Sequence, residues 1–141
     1  MFLGSFTPKL DEKGRFFLPT KFREQLSRGM VISRQPERCL AIWPVDAFQA
    51  EVEAAATGRS TDENSRLMQR MFASGASDES ADSQGRVTVP SVLRNYAGLD
   101  KEIAVIGAYT HVEVWNPAAW EEYQANKEEY FAQVNNGGNK E

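Results

Sequence analysis

The chain contains 141 residues, of which 41% are hydrophobic and 26% are charged. This composition is typical of one folded domain, or of two halves of about 70 residues each, and it excludes bulk disorder. The formal net charge of −4 excludes a uniformly basic nucleic-acid binder but allows a locally basic one.

The counts of cysteine and histidine and the hydropathy of the chain exclude further classes of protein. The single cysteine, Cys39, excludes an intrachain disulfide and points to a reducing compartment. Together with the single histidine, His111, it supplies too few ligands for a zinc site. The longest apolar stretch, residues 103–109, is shorter than the roughly 20 residues needed to span a bilayer, and residues 1–6 do not resemble a signal peptide. We expect a cytoplasmic protein with no cofactor and no membrane contact.

Two segments of the chain are similar to each other. Residues 11–23 and 82–94 share five identities in thirteen positions at an offset of 71, namely Asp11/Asp82, Gly14/Gly85, Arg15/Arg86, Pro19/Pro90 and Arg23/Arg94. Residues 40–43 align with 112–115 at an offset of 72. We interpret this as duplication of a unit of roughly 45 residues.

Each copy is predicted to fold as β–turn–β–α–β–β. In the first copy an apolar run (2–10) leads to a D-x-x-G turn, a strand (15–18), a helix opened by proline (20–27) and two strands (30–33 and 39–43). In the second copy the turn is followed by a strand (86–89), a helix (91–97) and two strands (103–106 and 111–115). Further helices are predicted over 46–56, 63–73 and 117–134, with a break at 57–62.

These elements predict an α+β fold of two tandem repeats with peripheral helices. The predicted boundaries are a first repeat over 5–47, a helical connector over 48–75, a second repeat over 76–119, a C-terminal helix over 120–134 and a flexible tail over 135–141. Because a unit of about 45 residues is too small for a good core, we expect the copies to pack together with approximate two-fold symmetry. That symmetry would bring the two D-x-x-G-R turns close together.

Strand alternation predicts which side chains point outward. In the first copy Phe16 and Leu18 share the inward face, whereas Arg15 and Phe17 share the outward face. In the second copy the same alternation turns Val87 and Val89 inward and Arg86 and Thr88 outward. The arginine therefore points outward in both copies.

Charge is distributed unevenly along the chain. Residues 1–40 contain eight Lys and Arg against four Asp and Glu, whereas residues 102–141 contain two against seven. The turn and helix blocks are thus basic and the connecting helices acidic. A basic face on an acidic body is typical of a selective anion binder such as a nucleic-acid-binding protein, although acidic helices can also serve solubility alone.

The candidate DNA-binding residues are Arg15, Arg86, Lys13, Gln84, Lys9 and Lys21. The arginine fork can grip two acceptors on a guanine edge or a phosphate, lysines can fix register on phosphates, and glutamine can pair with an adenine edge. Asp11, Gly14, Asp82 and Gly85 are predicted to shape the turns. For Phe17, base stacking and a subunit contact are both possible. A structural role is favoured for His111 and a buried one for Cys39.

The residues alone leave three hypotheses. The first is sequence-specific binding of double-stranded DNA. The second is an adaptor or antitoxin-like module that binds another protein. The third is an enzyme with Asp11 and Asp82 as paired carboxylates, which requires the two groups to converge in a cleft. No nucleotide-binding or hydrolase motif supports a small-molecule substrate.

One family resemblance rests on these motifs. The chain resembles the MraZ family at Met1-Phe2-x-Gly4, at the first turn Leu10-Asp11-x-Lys13-Gly14-Arg15 followed by Pro19 and Phe22-Arg23, and at the second turn Asp82-x-Gln84-Gly85-Arg86 followed by Pro90. That family belongs to the AbrB-like swapped-hairpin DNA binders. The resemblance implies two AbrB-like units packed as a small barrel. It further implies a bacterial regulator of the division and cell-wall gene cluster that represses from direct repeats in its promoter, associates with the nucleoid and assembles into rings.

Overall fold

This computed structural model describes residues 1–56 and 62–137, with side chains to residue 134, and these residues form eight strands and five helices. The first part contains β1 (Ser5–Phe6), β2 (Arg15–Phe17), α1 (Thr20–Arg23), β3 (Met30–Gln35), β4 (Cys39–Pro44), α2 (Val45–Ala55) and α3 (Glu63–Ser74). The second part contains β5 (Ser77–Glu79), β6 (Arg86–Thr88), α4 (Ser91–Ala97), β7 (Ala104–Gly107), β8 (Val112–Trp115) and α5 (Pro117–Gly137).

The strands of the two repeats are interleaved. Six of them form an antiparallel sheet in the order β1-β7-β8-β4-β3-β5, and β2 pairs with β6 in a separate ribbon. If each strand of the first repeat is exchanged for its counterpart in the second (β1 for β5, β2 for β6, β3 for β7 and β4 for β8), the strand order of the sheet reads the same from the opposite edge. The ribbon is likewise unchanged. Because β1 pairs with β7 and β5 pairs with β3, the first strand of each repeat is bonded to the other repeat. The chain is therefore a mixed helix and sheet protein in which both sheets contain strands from both repeats.

The β2–β6 ribbon joins the two predicted turns. Arg15 lies opposite Thr88, Phe16 opposite Val87 and Phe17 opposite Arg86, so the register is symmetric about its central pair. The predicted inward side chains are all buried, with exposed fractions of 0–1%: Phe16, Leu18, Val87 and Val89. These side chains join one core formed by both repeats.

Aromatic packing anchors the ribbon to the sheet. Phe22 of α1 is fully buried and meets Phe2 and Phe6 edge-on, with 5.3 Å between ring centroids in both pairs. Burying one such side chain contributes about 1.5–3 kcal/mol. The apolar residues of the N-terminal run therefore hold α1, and with it the end of β2, against the core.

The helix predicted over residues 20–27 is wrong in its length. Helix α1 ends at Arg23, and the following residues form tight turns. There the N–H groups of Leu26, Ser27 and Gly29 donate to carbonyls three residues earlier, at 3.2 Å each. The Ser27 hydroxyl also donates to the Glu24 carbonyl at 2.8 Å. Hydrogen bonds between residues three apart form tighter turns than the α-helix does, and these turns lead the chain into β3.

Other boundaries differ because pairing extends or trims the strands. Strand β3 runs two residues beyond its predicted end, to Gln35, since it pairs with β4 along its whole length. Strand β5 follows α3 in a polar stretch and is the first strand of the second repeat, which the repeat pattern predicted without bounds; it pairs with β3. His111 precedes β8 rather than belonging to it, and β7 begins after Ile103.

The peripheral helices follow the prediction closely. Asp62 caps α3 by accepting the Asn64 N–H at 3.1 Å. Helix α5 continues to Gly137, three residues beyond its predicted end at 134 and into the predicted tail. The rest of the predicted break (57–61) and of the tail (138–141) lies outside the described residues. Within the described ranges, no helix is both long and apolar enough to cross a membrane.

Candidate nucleic-acid interface

One carboxylate organises the first turn. Oδ1 of Asp11 accepts the backbone N–H groups of Lys13 and Arg15, both at 2.9 Å. Oδ2 accepts the Nε–H of Arg15 at 2.8 Å. The Gly14 N–H closes the turn by donating to the Asp11 carbonyl at 3.0 Å. The Asp11 carboxylate thus holds both the backbone of the turn and the side chain of Arg15.

The second turn repeats these contacts. Oδ1 of Asp82 accepts the N–H groups of Gln84 and Arg86 at 2.9 and 2.8 Å, and Oδ2 accepts the Arg86 Nε–H at 2.8 Å. The Gly85 N–H donates to the Asp82 carbonyl at 2.9 Å. Exchange of Lys13 for Gln84 leaves the turn intact, because that position contributes only its backbone N–H.

Both carboxyl groups are held as anions. The Arg15 backbone N–H, with the Arg15 guanidinium and the Lys13 N–H, lowers the pKa of Asp11. The Arg86 backbone N–H and guanidinium lower the pKa of Asp82 in the same way. A carboxyl group with a lowered pKa is ionised at neutral pH and carries no proton to donate there. The paired-carboxylate hypothesis therefore has no proton donor in these turns.

Arg94 of the second repeat packs against the first turn. Its Nε donates to the Val89 carbonyl at 2.9 Å. Gly14 has a φ of +78°, and a Cβ built there would lie 2.6 Å from the Arg94 Nε. Glycine is required at this position for the left-handed backbone and for the close approach of the arginine.

Arg23 of the first repeat makes the equivalent contact with the second turn. Its Nε donates to the Leu18 carbonyl at 3.0 Å, and a Cβ on Gly85 (φ +84°) would lie 2.6 Å from the Arg23 Cζ. Sequence reasoning did not assign Arg23 or Arg94 to the site. The signal was their identity at equivalent repeat positions, which a local turn does not require.

Arg15 and Arg86 share the outward face of the ribbon with Phe17 and Thr88. Their side chains are 27% and 24% exposed, and Phe17 is 51% exposed. Arg86 Cζ lies 6.0 Å from the centre of the Phe17 ring. Within the described residues, no hydrogen bond engages the two terminal nitrogens of either guanidinium. Each arginine begins its strand and bonds to the aspartate of its own turn, so the two lie diagonally at opposite ends of one ribbon face, about 7–8 Å apart at the backbone.

The other predicted residues divide into two groups. Lys13 and Gln84 are exposed in the turns, one beside each arginine. Lys9 lies outside the ribbon, in an isolated bridge with Glu102. Lys21 also lies outside it, with its Nζ 5.8 Å from the centre of the Phe6 ring.

A second polar cluster lies on the sheet, away from the ribbon. The His111 ring stacks on Trp43 with 4.2 Å between centroids, and its Nε2 lies 3.0 Å from Glu113 Oε2. Burial alone would raise the pKa of Glu113, but hydrogen bonds with His111 and Trp115 outweigh it and lower the pKa. Cys39 is fully buried, and burial raises the pKa of its thiol. These contacts fit the structural roles favoured for His111 and Cys39.

Fold and site together define a duplicated mixed helix and sheet protein in which two equivalent turns present paired arginines on one ribbon. The sequence model of a family described as "MraZ protein, putative antitoxin-like" matches the chain twice, over residues 1–71 and 72–137. The chain belongs to the MraZ family. This confirms the resemblance carried by the two turn motifs.

Close relatives cover nearly the whole chain. It is 54% identical to the transcriptional regulator MraZ of Cutibacterium acnes over 134 residues, which is 95% of this chain and 94% of the relative. It is 52% identical to the protein of the same name from Kineococcus radiotolerans over 94% of this chain and 92% of the relative. For that of Salinispora arenicola the identity is 47%, over 97% and 96%. By the names of these relatives, the family is one of transcriptional regulators.

Proposed function

We propose that this protein is a transcriptional repressor that reads double-stranded promoter DNA with the β2–β6 ribbon. The observation that carries the proposal is the pair Arg15 and Arg86. Both lie on the outward face of the ribbon, and each has its Nε bonded to an aspartate, while its terminal nitrogens make no hydrogen bond with the described residues.

A two-stranded ribbon fits the major groove of B-DNA, where a guanine edge offers two acceptors to one arginine fork. The aspartates orient both forks before binding, so little side-chain freedom remains to be lost. A backbone separation of about 7–8 Å corresponds to roughly two base-pair steps of 3.4 Å. Because each arginine bonds to the turn at its own end of the ribbon, Arg15 and Arg86 are expected to reach guanines at least about two steps apart, and each contact discriminates by about 1–3 kcal/mol.

The phosphate contacts of one chain are few. Arg15, Arg86, Lys9 and Lys13 supply about four positive groups, which give a salt slope of about −3.6 and a loss of roughly 10² in affinity between 50 and 200 mM salt. A ring of identical subunits on direct repeats makes later contacts intramolecular and raises the overall affinity. Self-assembly is thus part of the proposed mechanism.

The finer family features belong to the same proposal. The two repeats are tandem AbrB-like units closed into a small barrel, which the interleaved strand order supports. The target is a set of short direct repeats upstream of a bacterial division and cell-wall gene cluster. Binding there places the protein in the cytoplasm, on the nucleoid.

The test is the double variant R15A/R86A, measured by fluorescence anisotropy on a fragment of its own promoter that carries the direct repeats. Two lost contacts of about 1–3 kcal/mol each predict a loss of at least about 30-fold in affinity. Circular dichroism and thermal unfolding establish that the variant is folded. Affinity equal to that of the parent, in a folded double variant, overturns the proposal.

A matched control removes two positive charges outside the ribbon. Arg28 and Lys101 are exposed and lie in neither turn. R28A/K101A changes the net charge as R15A/R86A does, so general electrostatics predict the same loss in both. The proposal predicts only a few-fold loss for the control.

A second candidate function is supported by the words "antitoxin-like" in the description of the family. In that case the chain captures another protein. A stoichiometric partner that co-purifies with the chain, combined with no DNA affinity at 50 mM salt, favours this function over DNA reading.

A further inference from the structure

Gly14 of the first turn is joined to the second repeat through Val89 and Arg94. The Val89 N–H donates to the Gly14 carbonyl at 2.8 Å, and the Val89 carbonyl accepts the Arg94 Nε–H at 2.9 Å. A Cβ built on Gly14 would lie 2.6 Å from the Arg94 Nε, 2.8 Å from Cζ and 3.0 Å from a terminal nitrogen. The flat guanidinium therefore covers the side of Gly14 from which any other residue would project its side chain. Accordingly, Gly14 is buried although the adjacent Lys13 is exposed.

The first repeat holds Gly85 of the second turn in the same way. The Leu18 N–H donates to the Gly85 carbonyl at 3.0 Å, and the Leu18 carbonyl accepts the Arg23 Nε–H at 3.0 Å. Three atoms of the Arg23 guanidinium lie 2.6–2.9 Å from the Cβ position of Gly85. The helices that carry the two arginines differ in length, with four residues in α1 and seven in α4. The same contact from two different helices indicates that it depends on the turns.

Each of these glycines directly precedes an arginine of the outward ribbon face. Gly14 precedes Arg15, and Gly85 precedes Arg86. Glycine populates positive φ about as readily as negative φ and loses more conformational freedom on folding than any other residue. A group packed against Gly14 therefore restricts the backbone from which Arg15 projects.

The contact uses the shape of arginine as well as its charge. The guanidinium is planar and carries the Nε–H within the side chain, so one group can lie flat on a glycine and donate to a carbonyl. Lysine has the same charge but neither the plane nor that donor. Arg23 and Arg94 are also only partly exposed. These features favour residues that hold the turns over residues that meet phosphates as point charges.

We propose that Arg94 and Arg23 are positioning residues for DNA reading and that they act across the repeats. Arg94 of the second repeat aims Arg15, and Arg23 of the first repeat aims Arg86. This assignment rests on the proposed function and adds two residues that act on the base contacts without touching the DNA. Because each arginine of the ribbon face is then held by both repeats, it loses less freedom when it binds.

The test combines R94A with R15A and, separately, with R86A, and measures affinity for the promoter fragment by fluorescence anisotropy at about 50 mM salt. R94A alone is expected to weaken binding by about 5-fold, because a misaimed Arg15 loses most of one base contact. The loss is expected to be similar in the R86A background but less than about 2-fold in the R15A background, where the fork to be aimed is gone. R23A is expected to give the opposite pattern.

R28A is the matched control for the loss of charge. It removes one positive charge from an exposed side chain that lies in neither turn, so any loss is expected to be small and equal in both backgrounds. R94K keeps the charge but not the planar group, and it is expected to bind as weakly as R94A. Circular dichroism and thermal unfolding establish that each variant is folded, and R23A decides if R94A is not.

The outcomes separate this assignment from the proposed function. Equal losses from R94A in the R15A and R86A backgrounds overturn it, and a smaller salt slope would then identify a phosphate contact. Parental affinity of R94K, or of folded R94A and R23A, overturns it as well. If R15A and R86A themselves bind like the parent, DNA reading by the ribbon fails whatever R94A does.

Discussion

The ribbon and the peripheral helices both belong to the duplicated units, but the two copies are much more similar in the ribbon than in the helices. In the turns, each hydrogen bond of the first repeat has a counterpart in the second, and paired lengths differ by about 0.1 Å at most. In the helices, α2 is 11 residues long and covered by α3, whereas α5 is 21 residues long and largely exposed. The turn satisfies three donors with one carboxylate, so few changes are tolerated there. A helix only needs one buried turn to remain attached.

Within the ribbon the symmetry is broken at the outward positions. Phe17 corresponds to Thr88, and Lys13 corresponds to Gln84. The positions that hold the turn and the two arginines are identical, whereas two exposed positions beside the arginines have diverged. We infer that the two turns support one geometry but contribute different contacts to the same partner.

The single substitution that is expected to destabilise the ribbon most is G14A. A left-handed backbone costs a residue other than glycine about 1–2 kcal/mol, and the new Cβ also displaces Arg94 from the Val89 carbonyl. We expect the free energy of unfolding to fall by about 2 kcal/mol, with a Tm lower by about 6 °C. Because the second turn is equivalent, G85A is expected to cost the same. Urea and thermal unfolding measure both.

A double-mutant cycle separates backbone strain from the contact between repeats. In an R94A background, G14A has no arginine to displace and is expected to cost only about 1 kcal/mol. An equal cost of G14A in both backgrounds would show that Arg94 does not act on the first turn.

The next largest expected effect tests whether Phe17 contributes a contact that Thr88 does not. Phe17 is 51% exposed and lies 6.0 Å from Arg86 Cζ, so in the proposed DNA complex its ring would contact the methyl group of a thymine beside the guanine read by Arg86. F17T is expected to weaken promoter binding by about 5-fold, equivalent to about 1 kcal/mol. T88A, which removes only the smaller side chain, serves as the control. Replacing thymines of the site by uracil should weaken binding of the parent but not of F17T, and equal sensitivity in both proteins would contradict this role.

The smallest effect is a pH dependence of stability. The pKa values of Asp11 and Asp82 are lowered in the folded chain, so each carboxylate stabilises the fold fully above its unfolded pKa of about 3.9. That contribution is lost as the pH falls through the lower folded value. D11N/D82N is therefore expected to be less stable than the parent at pH 6, with the gap closing towards pH 3. Urea unfolding at several pH values measures the gap, and a constant gap would assign the loss to something other than ionisation.

Much of the site could be predicted because its geometry is local. The D-x-x-G-R spacing fixed the turn, and strand alternation correctly placed Phe16 inside and Phe17 outside. The role of Arg23 and Arg94 was missed because their contacts cross from one repeat to the other. The places of Lys9 and Lys21 outside the ribbon are tertiary as well: the backbone of Lys9 bridges Glu102, and the Lys21 Nζ lies 5.8 Å from the centre of the Phe6 ring.

The amino-acid order by itself determined the two turns, the inward and outward faces and most helices, since these depend on residues within a few positions of one another. Only the tertiary structure decided that β1 bonds to β7, that β5 bonds to β3, and that the side chains of α5 from 121 to 134 are exposed among the described residues. Those outcomes depend on hydrogen bonds and packing between the two copies. No pattern within either copy specifies its partner.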